Sequence, residues 1–268
     1  MAFDRRRGAF LGSLFVLAAL ALRADAASTV TGLTVALHAH HAPAIVLHHR
    51  DRFATSSNWS GYAVTGSNGS VQDVRGSWTV PTVTCDSGTE YSSFWVGIDG
   101  FNSNTVEQIG TDADCHSGAP AYYAWFEFYP HPMFTINNFG VQPGDFISAH
   151  VHYDQRSRQF TVTIQNARTS QSFSTSTKVN SAQRSSAEWI AEAPSSAGGI
   201  LPLADFGIVS YASDTATMNG ATDPIGWFGT SNVYAVSMVD NNGNAKAVPS
   251  PLASDNSSFS VQWMSAGP

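Results

Sequence analysis

Alternation with a period of two is the feature that most limits this chain. Phe160, Val162 and Ile164 alternate with Thr161, Thr163 and Gln165; Phe259, Val261 and Trp263 alternate with Ser258, Ser260 and Gln262; Val151 and Tyr153 alternate with His150 and His152. Successive side chains of a strand point to opposite faces, so each run predicts a strand with one apolar face. Asn68-Gly69, Gln142-Pro143-Gly144-Asp145 and Asn241-Asn242-Gly243-Asn244 separate the runs with turn chemistry. No long amphipathic helical pattern follows Asn58; the stretch opening at Gln183 leads into Trp189 and Ile190, which read as strand. About a dozen strand candidates at this spacing predict one all-β domain over residues 55–268, undivided by repeat or linker.

Charge narrows the function. Only 12% of the 268 residues are charged, and 13 Lys and Arg stand against 20 Asp and Glu. Lys178 and Lys246 are the only lysines. A nucleic-acid-binding surface needs a cationic footprint that this composition lacks. At the N-terminus Arg5, Arg6 and Arg7 precede an apolar run from Gly8 to Leu22, followed by Ala24-Asp25-Ala26. That is a secretory signal over residues 1–26, too short for a comfortable membrane span. The mature chain is therefore expected outside the cell, with no membrane contact once the signal is removed. Export favours a disulfide between Cys85 and Cys115, closing a loop of about 30 residues and contributing about 3 kcal/mol.

Residues 27–54 form a separate zone holding five of the nine histidines: His38, His40, His41, His48 and His49. Such a tract can bind metal or change charge between about pH 5 and 7. Its position reads as a propeptide, although composition alone suits a plain tail equally. From Thr55 onward seven basic residues face 17 acids, a net charge of 7 − 17 = −10 that would attract this tract near neutrality.

Three stretches could carry chemistry. In the run Ala121 to Tyr129, one face holds Tyr123, Trp125, Glu127 and Tyr129, and the other holds Tyr122, Ala124, Phe126 and Phe128. The second face suits a core. The first is aromatic with a carboxylate at its middle, which suits a wet cleft because an ionised Glu is costly to bury unpaired. In Ala187 to Glu192, Glu188, Ile190 and Glu192 share a face, the two acids about 13 Å apart along the strand. Periodicity does not choose between those acids. Gln108, between Val106 and Ile109, offers an amide that could be held rigidly and donate to a developing oxyanion; an ordinary half-buried Gln reads the same way. There is no His-Glu-x-x-His helix, no Gly-x-Ser-x-Gly elbow and no phosphate-cradling Gly loop. His150-x-His152 could ligate a metal but suits a structural pair better.

An ordered set of motifs now stands out: Asn58-Trp59-Ser60-Gly61, Gly76-Ser77-Trp78-Thr79-Val80-Pro81, Trp95-Val96-Gly97-Ile98-Asp99-Gly100, Gln108-Ile109-Gly110, Trp125-Phe126-Glu127-Phe128-Tyr129-Pro130 and Ala187-Glu188-Trp189-Ile190. Together they resemble the glutamic peptidases, or eqolisins, over nearly all of residues 55–268. The resemblance implies a concanavalin-like antiparallel β-sandwich of two large sheets, one face forming the substrate cleft. It implies acid endopeptidase activity on proteins or peptides, by a monomer needing no metal or cofactor. It places the catalytic pair at Gln108 and Glu192, with Trp59, Asp99, Trp125, Glu127 and Tyr129 surrounding or supporting it. Ala193-Pro194 stands where the family commonly has Asp-Phe, which bears on the pocket wall. Prosegments in the family's fungal members favour the propeptide reading of residues 27–54. A glycan-active enzyme, with Glu127 and Glu192 as its two acids, and a non-catalytic secreted binding module remain as other readings of the same cleft.

Overall fold

The computed structural model describes residues 28–29, 33–35, 40–50 and 52–267. The signal read over residues 1–26 lies outside the described residues, as do 27, 30–32, 36–39 and 51 of the zone read as a propeptide.

The period-two runs all form strands, and the only helical element among the described residues is the single turn Ile225–Trp227. They pair into two large, mainly antiparallel layers. In the first layer the order is Phe134–Ile136, Ala119–Tyr129, Val106–His116, Ser93–Ile98, Ser186–Glu192, Trp59–Thr65 and Val233–Val239. In the second it is Gln171–Thr177, Gln159–Asn166, Phe146–Asp154, Val71–Thr79, Ile208–Met218, Phe259–Trp263 and Ala245–Pro249. The layers join where Ala245–Pro249 pairs with Val233–Val239.

Alternation decides what goes between the layers. Phe94, Val96 and Ile98, Ala124, Phe126 and Phe128, and Ala187, Trp189 and Ala191 turn inward from the first layer. They meet Val74, Trp78, Val151, Phe160 and Val162 from the second. The buried indoles also find polar partners. Trp78 Nε1 donates to Thr111 Oγ1 at 2.9 Å and Trp189 Nε1 to the Arg75 carbonyl at 2.7 Å, so each ties one layer to the other. Cys85 and Cys115 form a disulfide with Cα atoms 5.4 Å apart, pinning the loop after Val71–Thr79 to the end of Val106–His116.

The opposite face of the first layer carries a second, smaller aromatic cluster of Trp59, Trp95, Phe101, Val106, Trp125, Met133 and Ile190. The N-terminal zone packs on this side. Leu33–Val35 extends the edge beyond Phe134–Ile136. Val46–Arg50 pairs with Phe53–Ser56, which lies parallel to Val233–Val239. The boundary read at 54/55 thus falls inside a strand.

Candidate active site

Five strands of the first layer build the site on that aromatic face. Val106–His116 places Gln108, Asp112 and Asp114 on it at every second or fourth residue. Ala119–Tyr129 lies antiparallel in register, setting Glu127 beside Gln108 and Tyr123 beside Asp112. Ser186–Glu192 presents Glu192 between Ser93 on one side and Trp59 on the other. Two glycines make the floor flat. A Cβ on Gly97 would lie 2.8 Å from the Trp95 ring, and one on Gly110 would lie 2.4 Å from the Phe94 carbonyl and 3.1 Å from the Trp125 ring. With no side chain at either place, both indoles lie against the sheet. Trp95 Nε1 then donates to Glu192 Oε2 at 2.8 Å.

The site is dense in buried acids. Glu127, Asp112, Asp114 and Glu192 are almost wholly shielded from solvent. Burial pushes Glu192 well above the usual carboxylate range, against the Trp95 hydrogen bond and helped by repulsion from Glu127 and Asp112. Burial also raises Glu127, although its bonds from His40 and His41 pull the other way. Asp112 is pushed up to about 7, again chiefly by burial. Tyr123 OH lies 2.8 Å from both Asp112 Oδ2 and Asp114 Oδ2. The two acids share the one proton of that hydroxyl; burial raises both, with repulsion from Asp112 added at Asp114.

The chain's own N-terminal zone fills this site. His41 is fully buried, its ring stacked on Trp125 with centroids 3.6 Å apart and planes 12° from parallel. Its N–H donates to Glu127 Oε2 at 2.9 Å, and its carbonyl accepts from Gln108 Nε2 at 2.5 Å. Its Nδ1 lies 3.3 Å from Glu192 Oε2 and its Nε2 3.8 Å from Asp112 Oδ2. His40 and Ser195 exchange both backbone hydrogen bonds, at 2.8 and 2.9 Å. The Ala42 carbonyl accepts from Trp59 Nε1 at 3.1 Å and Asn58 Nδ2 at 3.4 Å. Burial, and then the neighbouring His40, hold the His41 imidazole well below its usual pKa.

Of the residues named from sequence, the structure gathers Gln108, Glu192, Trp59, Trp125 and Glu127 around His41. Tyr129, half-buried, packs on the aromatic cluster at the strand's end. Asp99 sits elsewhere: at a φ of 72°, it accepts from the Arg184 and Ser185 amides and the Ser185 hydroxyl, fixing the turn that enters Ser186–Glu192. Glu188 is level with Gly97 and Gln108 in the pairing, but the Trp95 ring lying over Gly97 separates it from them. Asp112, Trp95, Asn58 and His41 join the site without having been assigned to it from sequence. The period of two from Gln108 through Gly110 to Asp112 could have pointed to Asp112. Nothing in a tract of five histidines singles out His41.

The comparisons with known proteins agree with this architecture. The model of the Peptidase A4 family matches residues 57–263. Aspergillopepsin-2 of Aspergillus niger is 31% identical over 190 residues, which is 62% of this chain and 66% of that protein, just under two thirds of its length. The crystal structure of scytalido-glutamic peptidase with a transition-state analogue inhibitor superposes with a TM-score of 0.66 at 24% identity, covering 78% of this chain and 98% of that one. Aspergilloglutamic peptidase from Aspergillus niger superposes with a TM-score of 0.56 at 27% identity, covering 65% of this chain and 99% of that one. A family match over most of the chain, carried on the two-layer β fold that these peptidase structures share, means that the chain belongs to the Peptidase A4 family of glutamic peptidases.

Proposed function

We propose that this protein is a secreted acid endopeptidase whose working pair is Gln108 and Glu192, made as a precursor with a prosegment over residues 27–54, of which residues 40–42 occupy the cleft. The observation that carries the reading is the seat of His41. A single residue of extended chain lies across both members of the pair, and its peptide groups are hydrogen-bonded by Gln108 and Glu127 as a substrate's would be.

The chemistry follows from the groups present. Peptide hydrolysis needs an activated water, a donor to the tetrahedral oxyanion and a proton for the leaving nitrogen. With the cleft open to water, the burial that raises Glu192 is relieved, and its carboxylate can take a proton from water. The same proton then passes to the amine as the carbon–nitrogen bond breaks. Gln108 Nε2, which reaches a peptide carbonyl oxygen in the closed structure, donates to that oxygen as negative charge develops. A neutral amide partner leaves one ionisable carboxyl to do both proton transfers, with no second acid competing for the proton. Trp95, hydrogen-bonded to Glu192 Oε2, holds the carboxyl in place. Acid conditions suit the site because Asp112, Asp114 and Glu127 crowd around it, and protonation relieves their mutual repulsion.

In the closed structure the His41 ring lies against Glu192, where an attacking water would have to be activated, so the segment inhibits. Purified full-length protein incubated with casein at about pH 3–4, where an exposed Glu is partly ionised, tests the proposal. Peptide products that vanish in the Glu192→Gln protein support it. Turnover retained by Glu192→Gln, or hydrolysis of a polysaccharide in place of casein, overturns it.

A further inference from the structure

The outer face of the second layer, on the far side of the sandwich from the cleft, carries a cluster that the peptidase chemistry does not use. Val71–Thr79 and Phe146–Asp154 are paired neighbours there, with His152 directly opposite Asp73 and His150 opposite Arg75. Val74 and Val151 turn into the core, and Asp73, His150 and His152 meet on the other face. Sequence alone gives His150 and His152 no third partner; the pairing supplies Asp73. One carboxyl oxygen, Asp73 Oδ2, lies 2.5 Å from His150 Nε2 and 3.1 Å from His152 Nδ1.

We propose that His150 Nε2, His152 Nδ1 and Asp73 Oδ2 form a binding site for a divalent transition-metal ion of the zinc type. Two imidazoles and one carboxylate are a donor set that Zn²⁺ takes, with the remaining position left to water. Around such an ion the ligand atoms stand about 3.3 Å from one another. Here all three lie within 4.8 Å of one another, so side-chain shifts of at most about 1–1.5 Å set an ion among them. Paired strands carry all three residues, which fixes their spacing without help from a loop. Arg75 Nε donates to Asp73 Oδ1 at 2.9 Å and leaves Oδ2 to the rings, as an outer partner orients a carboxylate ligand. Arg75 is itself more than half exposed, so water and salt screen its charge from the ion. An ion has a way in, because the His152 side chain is 45% exposed and that of His150 26%. The flanking strands bring hydroxyls and no competing cation: Thr163 and Thr161 stand opposite His150 and His152, and Thr215 and Thr217 opposite Arg75 and Asp73. A bound ion would bridge two middle strands of the second layer and touch nothing in the cleft, so the inference stands apart from the peptidase reading.

The test is calorimetric titration of the full-length chain with zinc chloride at about pH 7.5, where free imidazoles are mostly neutral. The protein is first stripped with a chelator and carries His38→Ala, His48→Ala and His49→Ala, which thins the competing N-terminal histidine tract. One Zn²⁺ per chain is expected to bind. His150→Ala, His152→Ala and Asp73→Asn should each weaken that binding about tenfold or more. Asp73→Asn still offers both rings an oxygen, so its loss reports the ion and not a missing hydrogen bond. Thermal unfolding gives a second readout: saturating Zn²⁺ should raise the Tm of the parent and leave that of the three variants, whose far-UV circular dichroism checks that they are folded. Ca²⁺, which takes oxygen ligands, should bind at least about tenfold more weakly than Zn²⁺. No Zn²⁺ bound by the parent, binding that all three variants keep, or Ca²⁺ bound as tightly as Zn²⁺ overturns the site.

Discussion

Raising the pH should destabilise this protein, because several of its carboxyl groups are buried. Glu107, Glu188 and Asp214 are fully buried, and no well-aligned hydrogen bond reaches their carboxyl oxygens. Burial pushes all three well above the ordinary carboxylate range, with added repulsion from Asp99 at Glu107 and Glu188. Asp112 behaves the same way, moving from 3.8 to about 7. The sign follows directly. A folded-state pKa raised above the unfolded value means that the folded chain binds more protons, so stability is full below the unfolded value and falls as pH rises through it. Each acid still protonated in the fold costs about 1.4 kcal/mol per pH unit in that window. Asp112 shares the Tyr123 hydroxyl with Asp114, which is raised too, so the protons lost there belong to the pair. In a domain of this size each 1.4 kcal/mol is a fall in Tm of about 3–6 °C. Urea denaturation at a series of pH values from about 4 to 8 measures the effect through the extrapolated unfolding free energy. Glu188→Gln keeps the shape and removes the ionisation, so its slope against pH should be shallower than the wild type's by about 1.4 kcal/mol per unit. Wild-type stability that holds level or rises over this range, or a Glu188→Gln slope equal to the wild type's, would refute the reasoning.

Other outcomes test the site and its frame. Glu192→Gln should cost at least the 10²–10⁴ typical of general-base catalysis, and Gln108→Glu about 10²–10³ for a lost oxyanion donor. Glu188→Gln, shielded from Gln108 by Trp95, should retain most of its kcat; a dead Glu188→Gln with an active Glu192→Gln would mean the wrong acid has been assigned. Gly97→Ala would set a Cβ 2.8 Å from the Trp95 ring, so the indole must move and its hydrogen bond to Glu192 weakens. A lowered kcat with a shifted tryptophan emission checks this. Reducing the Cys85–Cys115 disulfide releases a loop of 30 residues, for which chain entropy predicts a loss of about 3–4 kcal/mol, read by urea denaturation with and without reductant.

Much of the architecture was legible because strand faces are a local property. Whether Phe126 or Trp125 turns inward depends only on the parity of its position and on which set is apolar, so the two faces of Ala119–Tyr129 could be read before any pairing was known. The same parity put Glu188 and Glu192 together. The cysteine pair was legible for another reason, since an exported chain with two thiols has one pairing to make. Parity could not say which acid meets Gln108, or what Asp99 does. Those answers depend on how strands pair, which is set by contacts between residues far apart in sequence. The Trp95 ring lies over Gly97 and closes off Glu188, yet the same indole donates to Glu192. Asp99 stands in a motif beside the cleft, but its position at the end of Ser93–Ile98 turns it towards the backbone of Arg184 and Ser185. The insertion of His41 was the least accessible of all. Any of the five histidines in its tract offers the same chemistry, and the tertiary structure alone decides which one reaches Trp125, because that depends on where the strand Phe53–Ser56 is anchored and how much chain remains to cross the cleft.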